Sequence, residues 1–157
     1  MATSAGLCLW RAIGDGIEVL IVHPGGPFWA NKDEGAWSLP KGEFDPETED
    51  GYAAAVREFA EETGFPAPLD AIALDLGTTR LKSGKTIVAW ALEGELDADA
   101  IASNQFEMEW PPRSGRRAWF PEVDRASWVD PATAAQKLNP AQVVFIERLV
   151  AARSAAD

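Results

Sequence analysis

The sequence has one cysteine, Cys8, and one histidine, His23, among 157 residues. The single thiol excludes an internal disulfide framework, and the pair excludes a zinc site built from cysteine and histidine. Basic residues are scarce: 14 Lys and Arg stand against 25 Asp and Glu, a net charge of −11. That charge disfavours nucleic-acid polymers and anionic membranes as partners, and an anionic ligand would need a local basic patch or a bound cation. No apolar run approaches the roughly 20 residues of a membrane-spanning helix. Met1–Trp10 lacks the basic and apolar regions of a signal peptide, so the cytoplasm is the expected compartment. Internal repeats, low-complexity tracts and linkers are missing as well. What remains is 46% hydrophobic and 25% charged, the composition of one globular domain over residues 1–157. A chain of this length buries a core without covalent or metal staples.

Turn chemistry divides the chain into elements. Leu7–Ala12 and Ile17–Val22 are β-rich runs around Gly14-Asp15-Gly16, which predicts a hairpin. A Gly/Pro-rich loop follows from His23 to Gly35, then a short extended piece, Ala36–Leu39, stopped by Pro40. An acidic loop, Gly42–Asp50, leads into a helix over Gly51–Thr63. Ile72–Leu81 and Thr86–Glu93 read as strands, the second apolar on both alternating sets and so buried on both faces. Gln105–Trp110 and Arg116–Phe120 predict a second hairpin. Two terminal helices begin at the Asp130-Pro131 and Asn139-Pro140 caps. The sum is an α/β domain with a mixed sheet between helical layers.

The helix Gly51–Thr63 is the unusual element. Thr48 or Asp50 suits its N-cap, and Gly64, Phe65 and Pro66 form a Schellman-like stop. Tyr52, Ala55, Val56 and Phe59 make an apolar stripe. Glu58, Glu61 and Glu62 follow i, i+3, i+4 spacing, which gathers them on one side, nearly opposite that stripe. Like charges so placed cost a few tenths of a kcal/mol per pair on an exposed helix. No Lys or Arg lies four residues beyond any of them. From Gly42 to Phe65 eight acidic residues face Arg57 alone, a local charge of −7. A solvated acidic face is one reading. The other is a site for a hard divalent cation such as Mg²⁺ or Mn²⁺. An EF-hand starting at Asp45 fails, because its sixth and twelfth positions are Asp50 and Val56 rather than Gly and Glu.

The stretch Gly42-Glu43-Phe44-Asp45-Pro46-Glu47-Thr48-Glu49, followed by Arg57-Glu58-Phe59-Ala60-Glu61-Glu62-Thr63-Gly64-Phe65, resembles the Nudix box of the Nudix hydrolases, G-x5-E-x7-R-E-U-x-E-E-x-G-U. Every defined position from Glu49 to Phe65 matches. One extra residue lies between Gly42 and Glu49, in the loop beside Pro46. The order of elements is similar to the Nudix fold over most of the chain, and the flanks resemble a bacterial nucleotide pyrophosphohydrolase-like branch. The resemblance implies an α/β/α sandwich and a Mg²⁺-dependent hydrolase (Mn²⁺ can substitute) of nucleoside diphosphates linked to another group. It implies that Glu58, Glu61 and Glu62, with the Gly42 carbonyl, hold metal, and that Arg57 steadies Glu49 or Glu58. Dinucleoside polyphosphates and nucleoside triphosphates are the favoured substrates.

The catalytic base varies within that family. Glu107 and Glu109, on one face of a strand, are the first candidates outside the box, and Glu122 is a third. For phosphate, residues 111–125 carry a local charge of +2 and offer Arg113, Arg116 and Arg117. Lys82 and Lys85, and Lys41 beside the box, are further candidates. Phe28 or Trp29 is placed to stack on a base, and His23 to cap its loop or touch a phosphate. A monomer or homodimer is expected. The alternatives are a catalytically silent nucleotide-binding module and an acidic interaction domain without a ligand.

Overall fold

A computed structural model describes residues 2–156. Strand β1 (Thr3–Ile13) turns through Gly14, at φ 55°, into antiparallel β2 (Gly16–Pro24). Strand β5 (Thr86–Glu93) runs parallel to β1 over Thr3–Trp10, and β4 (Leu74–Arg80) pairs antiparallel with β5. The sheet order is β4-β5-β1-β2-β8, closed by β8 (Val123–Val129), which makes it mixed.

Because β5 takes one edge of β1, two strands share the other. Strand β3 (Lys41–Phe44) pairs with Thr3–Gly6, and β2 pairs with Trp10–Ile13. Between these pairings the sheet forks. Leu7 N–H donates to the Pro40 carbonyl (3.0 Å), and Ser38 exchanges backbone bonds of 2.8 and 2.9 Å with Val22.

Each face of the sheet has its own core. Helix α1 (Gly51–Thr63) lays Ala54, Ala55 and Phe59 on Ala5, Leu7, Leu9, Leu20 and Leu92. On the other face, α2 (Pro131–Lys137) and α3 (Val143–Ala156) cover Cys8, Val19, Ile21, Ile87, Ala89 and Ala91. Strand β5 divides between them, with Val88, Trp90 and Leu92 toward α1, so it is packed on both faces as its alternation predicts. Asp50 caps α1 by accepting from Ala53 N–H at 3.1 Å, and Gly64 ends it at φ 78°. Asp130 caps α2, while Asn139 caps a 3₁₀ turn, Pro140–Gln142, that precedes α3.

The expected loop Gly42–Asp50 begins inside a strand, since Lys41–Phe44 is β3. Ala36–Leu39 forms no strand and contributes only single bridges, Val22 to Ser38 and Trp37 to Leu138. The expected hairpin is present as β6 (Gln105–Glu109) and β7 (Arg117–Pro121), a separate two-stranded sheet. Among the described residues no helix is long and apolar enough to cross a membrane.

Gln142 fixes the α3 layer to the fork. It is 2% exposed, and its Oε1 accepts from the buried Leu39 N–H at 2.9 Å. Gln142→Ala orphans that donor and is expected to cost about 1–3 kcal/mol. At about 2–4 °C per kcal/mol for a chain of this size, thermal unfolding reads the loss directly.

Candidate metal-binding and active site

The fork in the sheet makes room for a cavity of about 110 Å³ into which Ser38, Lys41, Glu62 and Glu122 project among apolar neighbours. Helix α1 runs beside it and turns its carboxylates toward β3. Glu58 is only 8% exposed. This corrects the expectation that the three glutamates lie opposite the apolar stripe: Glu58 follows Ala54 and Ala55 by four and three residues and shares their buried side, while Tyr52 and Val56 lie half-buried at the margins. Gly42 permits the burial. A Cβ built there falls 2.0 Å from Glu58 Oε2, so any side chain would displace the carboxylate.

Glu62 accepts from the Lys41 backbone N–H at 3.0 Å. Burial pushes its pKa up to about 8 from 4.5, with nearby Glu122 and Glu58 adding to the rise and Lys41 opposing it. Burial raises Glu58 too, against the hydrogen bond from Arg57. Glu122 is raised by burial and then by the charge of Glu61. Glu58, Glu61 and Glu62 of α1 and Glu122, just before β8, therefore act on one another.

Arg57, which precedes the glutamates rather than following them, relieves part of this. Its Nε and Nη2 bind both oxygens of Glu49, at 2.9 and 2.8 Å, and its Nη1 donates to Glu58 Oε1 at 2.8 Å and to Glu61 at 3.3 Å. The pairing holds Glu49 below the usual carboxylate range. The extra residue of the box is absorbed in a turn in which Glu49 N–H and Thr48 N–H both donate to the Asp45 carbonyl. Gly42 keeps its register opposite Ala5, and Arg57 still reaches Glu49.

The donor set suits a hard divalent cation: all oxygen and acidic, with burial raising the pKa of Glu58 and Glu62. As the side chains stand, no three Asp, Glu, His or Cys among the described residues are placed to ligate one ion. Glu58 and Glu61 are gathered on Arg57, so ligation requires them to turn from the guanidinium.

The other candidates divide. Lys41 lines the carboxylate cavity. Glu107 and Glu109 sit on the exposed face of β6, where Glu107 pairs with Arg117 at 2.7 Å and Glu109 accepts from Arg113 N–H at 2.9 Å. The opposite face of β6 turns Phe106 toward Gly26. Arg117 is thus neutralised, whereas Arg113 and Arg116 are exposed and make no salt bridge among the described residues. Trp29 is 40% exposed with the Lys32 ammonium over its ring, and Phe28, 60% exposed, meets Trp110 edge-on at 5.7 Å. Glu122, ranked behind Glu107 and Glu109 by sequence, is the later carboxylate brought to the box. Its signal was its position just before β8, a strand the sequence pattern did not reveal.

Solved structures share this architecture. An Ap4A hydrolase from C. elegans, crystallised as a binary complex, superposes with a TM-score of 0.64 at 21% identity, over 99% of each chain. The NUDIX domain of Shewanella oneidensis NrtR, complexed with ADP ribose, gives 0.63 at 18% identity over 99% of this chain and 88% of that one. A MutT protein from Methanosarcina mazei Go1 gives 0.60 at 19% identity, over 97% and 94%. Curated protein sequences provide no significant match. At these identities the likeness shows the Nudix fold. The NUDIX domain model matches residues 2–149, nearly the whole sequence, and the chain belongs to that family.

Proposed function

We propose that the protein is a Mg²⁺-dependent pyrophosphohydrolase that cleaves a phosphoanhydride in a nucleoside diphosphate linked to another moiety, dinucleoside polyphosphates and nucleoside triphosphates being favoured. One observation carries this reading: the Glu58 carboxylate is lodged against Gly42 while Glu62 and Glu122 crowd the adjoining cavity. Burying that much like charge is costly unless a cation offsets it.

Glu58, Glu61 and Glu62, with the Gly42 carbonyl, would hold the metal. When bound it neutralises diphosphate oxygens and lowers the pKa of a water. Arg57 orients Glu49, Glu58 and Glu61. Glu122, a carboxylate with a raised pKa, takes the proton of the attacking water in preference to Glu107 or Glu109. Water oxygen bonds to phosphorus, the bridging P–O bond breaks, and the leaving phosphate departs with the electron pair. Lys41, Arg113 and Arg116 contact outer phosphates, Arg117 joining them once released from Glu107, and Trp29 stacks on the base. The ADP ribose complex of the structurally similar NrtR NUDIX domain supports a nucleotide ligand in kind.

A panel of dinucleoside polyphosphates, nucleoside triphosphates and ADP-ribose, incubated with Mg²⁺ in ¹⁸O-water, tests this. Cleavage that stops in EDTA, with label in one product, is expected. Tight nucleotide binding without cleavage of any member identifies a silent binding module instead.

A further inference from the structure

His23 is fully buried although it closes a strand beside a solvent-facing loop. Its Nδ1 lies 2.8 Å from Asp124 Oδ1 and its Nε2 2.7 Å from the Lys32 carbonyl. A carbonyl only accepts, so Nε2 donates to it, and the two contacts together hold the ring in one orientation. Trp37 holds the ring edge-on at 5.2 Å.

The two bonds join distant parts of the proposed site. Residues 25–32 form an arch bearing Phe28 and Trp29. At one end, Gly25 N–H donates to the Glu122 carbonyl at 2.9 Å. At the other, the Lys32 carbonyl is held by His23, which is itself bonded to Asp124. Both ends of the arch are therefore referred to Glu122–Asp124, the segment that presents the proposed base. The following leg is fixed separately, by Asp33 on Trp37 Nε1 at 2.8 Å and on Lys137. His23 thus governs the arch rather than the whole loop.

We propose that His23 is a positioning residue that sets the distance between the aromatic arch and the Glu122 carboxylate, and so the length of nucleotide spanning stacked base and attacked phosphorus. This rests on the hydrolase reading above. It separates the two hydrogen bonds in their consequences, which a packing role would not.

The test uses the full chain and two variants. His23→Asn retains a donor toward Asp124 and loses the Lys32 bond, whereas His23→Gln reaches Lys32 and loses Asp124. His23→Asn is expected to speed amide exchange in residues 26–32 by about tenfold while leaving α1 unchanged. It raises KM for the cleaved nucleotide and leaves kcat near wild type. His23→Gln, which keeps the Lys32 bond but lets go of Asp124, restores slow exchange in the arch and leaves KM raised. Trp29→Ala adds nothing further to KM in the His23→Asn background, because both changes act through the arch. Equal behaviour of the two variants, unaltered exchange in residues 26–32, or additivity with Trp29→Ala overturns the proposal. Should His23→Asn not fold, the wild-type chain decides: NMR coupling across the Nε2–H to Lys32 carbonyl bond is expected, and its absence overturns the tether. Exchange needs no turnover, so an inactive wild type refutes the hydrolase reading alone, and an active one with an unresponsive arch refutes the tether alone.

Discussion

Glu58→Gln and Glu62→Gln are each expected to lower Mg²⁺-dependent turnover by about 10²–10⁴-fold, equivalent to about 3–5 kcal/mol of transition-state stabilisation. The fold should survive both changes. Glu62 accepts from Lys41 N–H, and Glu58 Oε1 accepts from Arg57, and the amide oxygen of glutamine serves equally as acceptor. What is lost is negative charge at the point where the proposed metal and diphosphate meet. Glu122→Gln should follow the same course, whereas Glu107→Gln and Glu109→Gln, altering carboxylates on the exposed face of β6, should leave kcat near wild type. Steady-state kinetics with circular dichroism separates chemistry from folding. Wild-type rates in both box variants would defeat the hydrolase assignment, and a silent Glu122→Gln would move the base elsewhere.

The second large effect is on stability without metal. Glu62 is raised to about 8 in the folded chain from 4.5 in the reference state. Between those values the native state holds a proton that the unfolded state has released, so stability falls as pH rises through the window. The slope reaches about 1.4 kcal/mol per pH unit where this group dominates. Glu49, whose pKa is lowered by Arg57, acts in the opposite sense and at lower pH: its contribution is present above the unfolded value and is lost as acid protonates it. Thermal unfolding of EDTA-stripped protein from pH 5 to pH 8.5 should therefore show a declining Tm, and Glu62→Gln should flatten it. Mg²⁺ should recover the wild type most at the alkaline end, by about 2.7 kcal/mol at a hundred times its dissociation constant. Parallel curves for wild type and variant would sink the claim that this carboxylate is strained.

Local patterns made much of the fold readable. Gly14-Asp15-Gly16, the Asp50 and Asp130 caps, Gly64, and the doubly apolar run Thr86–Glu93 each announce an element through backbone preference or alternation. Strands β3 and β8 do not. Lys41–Phe44 and Val123–Val129 mix charged with apolar residues, and they become strands because β1 and β2 offer open edges. The site followed the same division. The clustering of the glutamates is legible from spacing within one helix, whereas the role of Arg57 is implied only by the resemblance to the Nudix box. The burial of Glu58 depends on Gly42 from another strand, and the arrival of Glu122 depends on the unseen β8. Helical periodicity alone could not tell that the carboxylate side packs against the sheet.

The parallel pairing of β1 with β5 also bears on how the chain is made. Thr3 must wait for Thr86, its register partner. At a ribosomal pace of about 5–20 residues per second, that interval lasts on the order of 4–17 s. Throughout it, Trp10–Ile13 can find β2 and Thr3–Gly6 can find β3, yet β1 lacks its β5 flank and the later helices α2 and α3, which leaves apolar edge and face open. The newborn polypeptide thus completes neither face of its central strand until the fifth strand emerges.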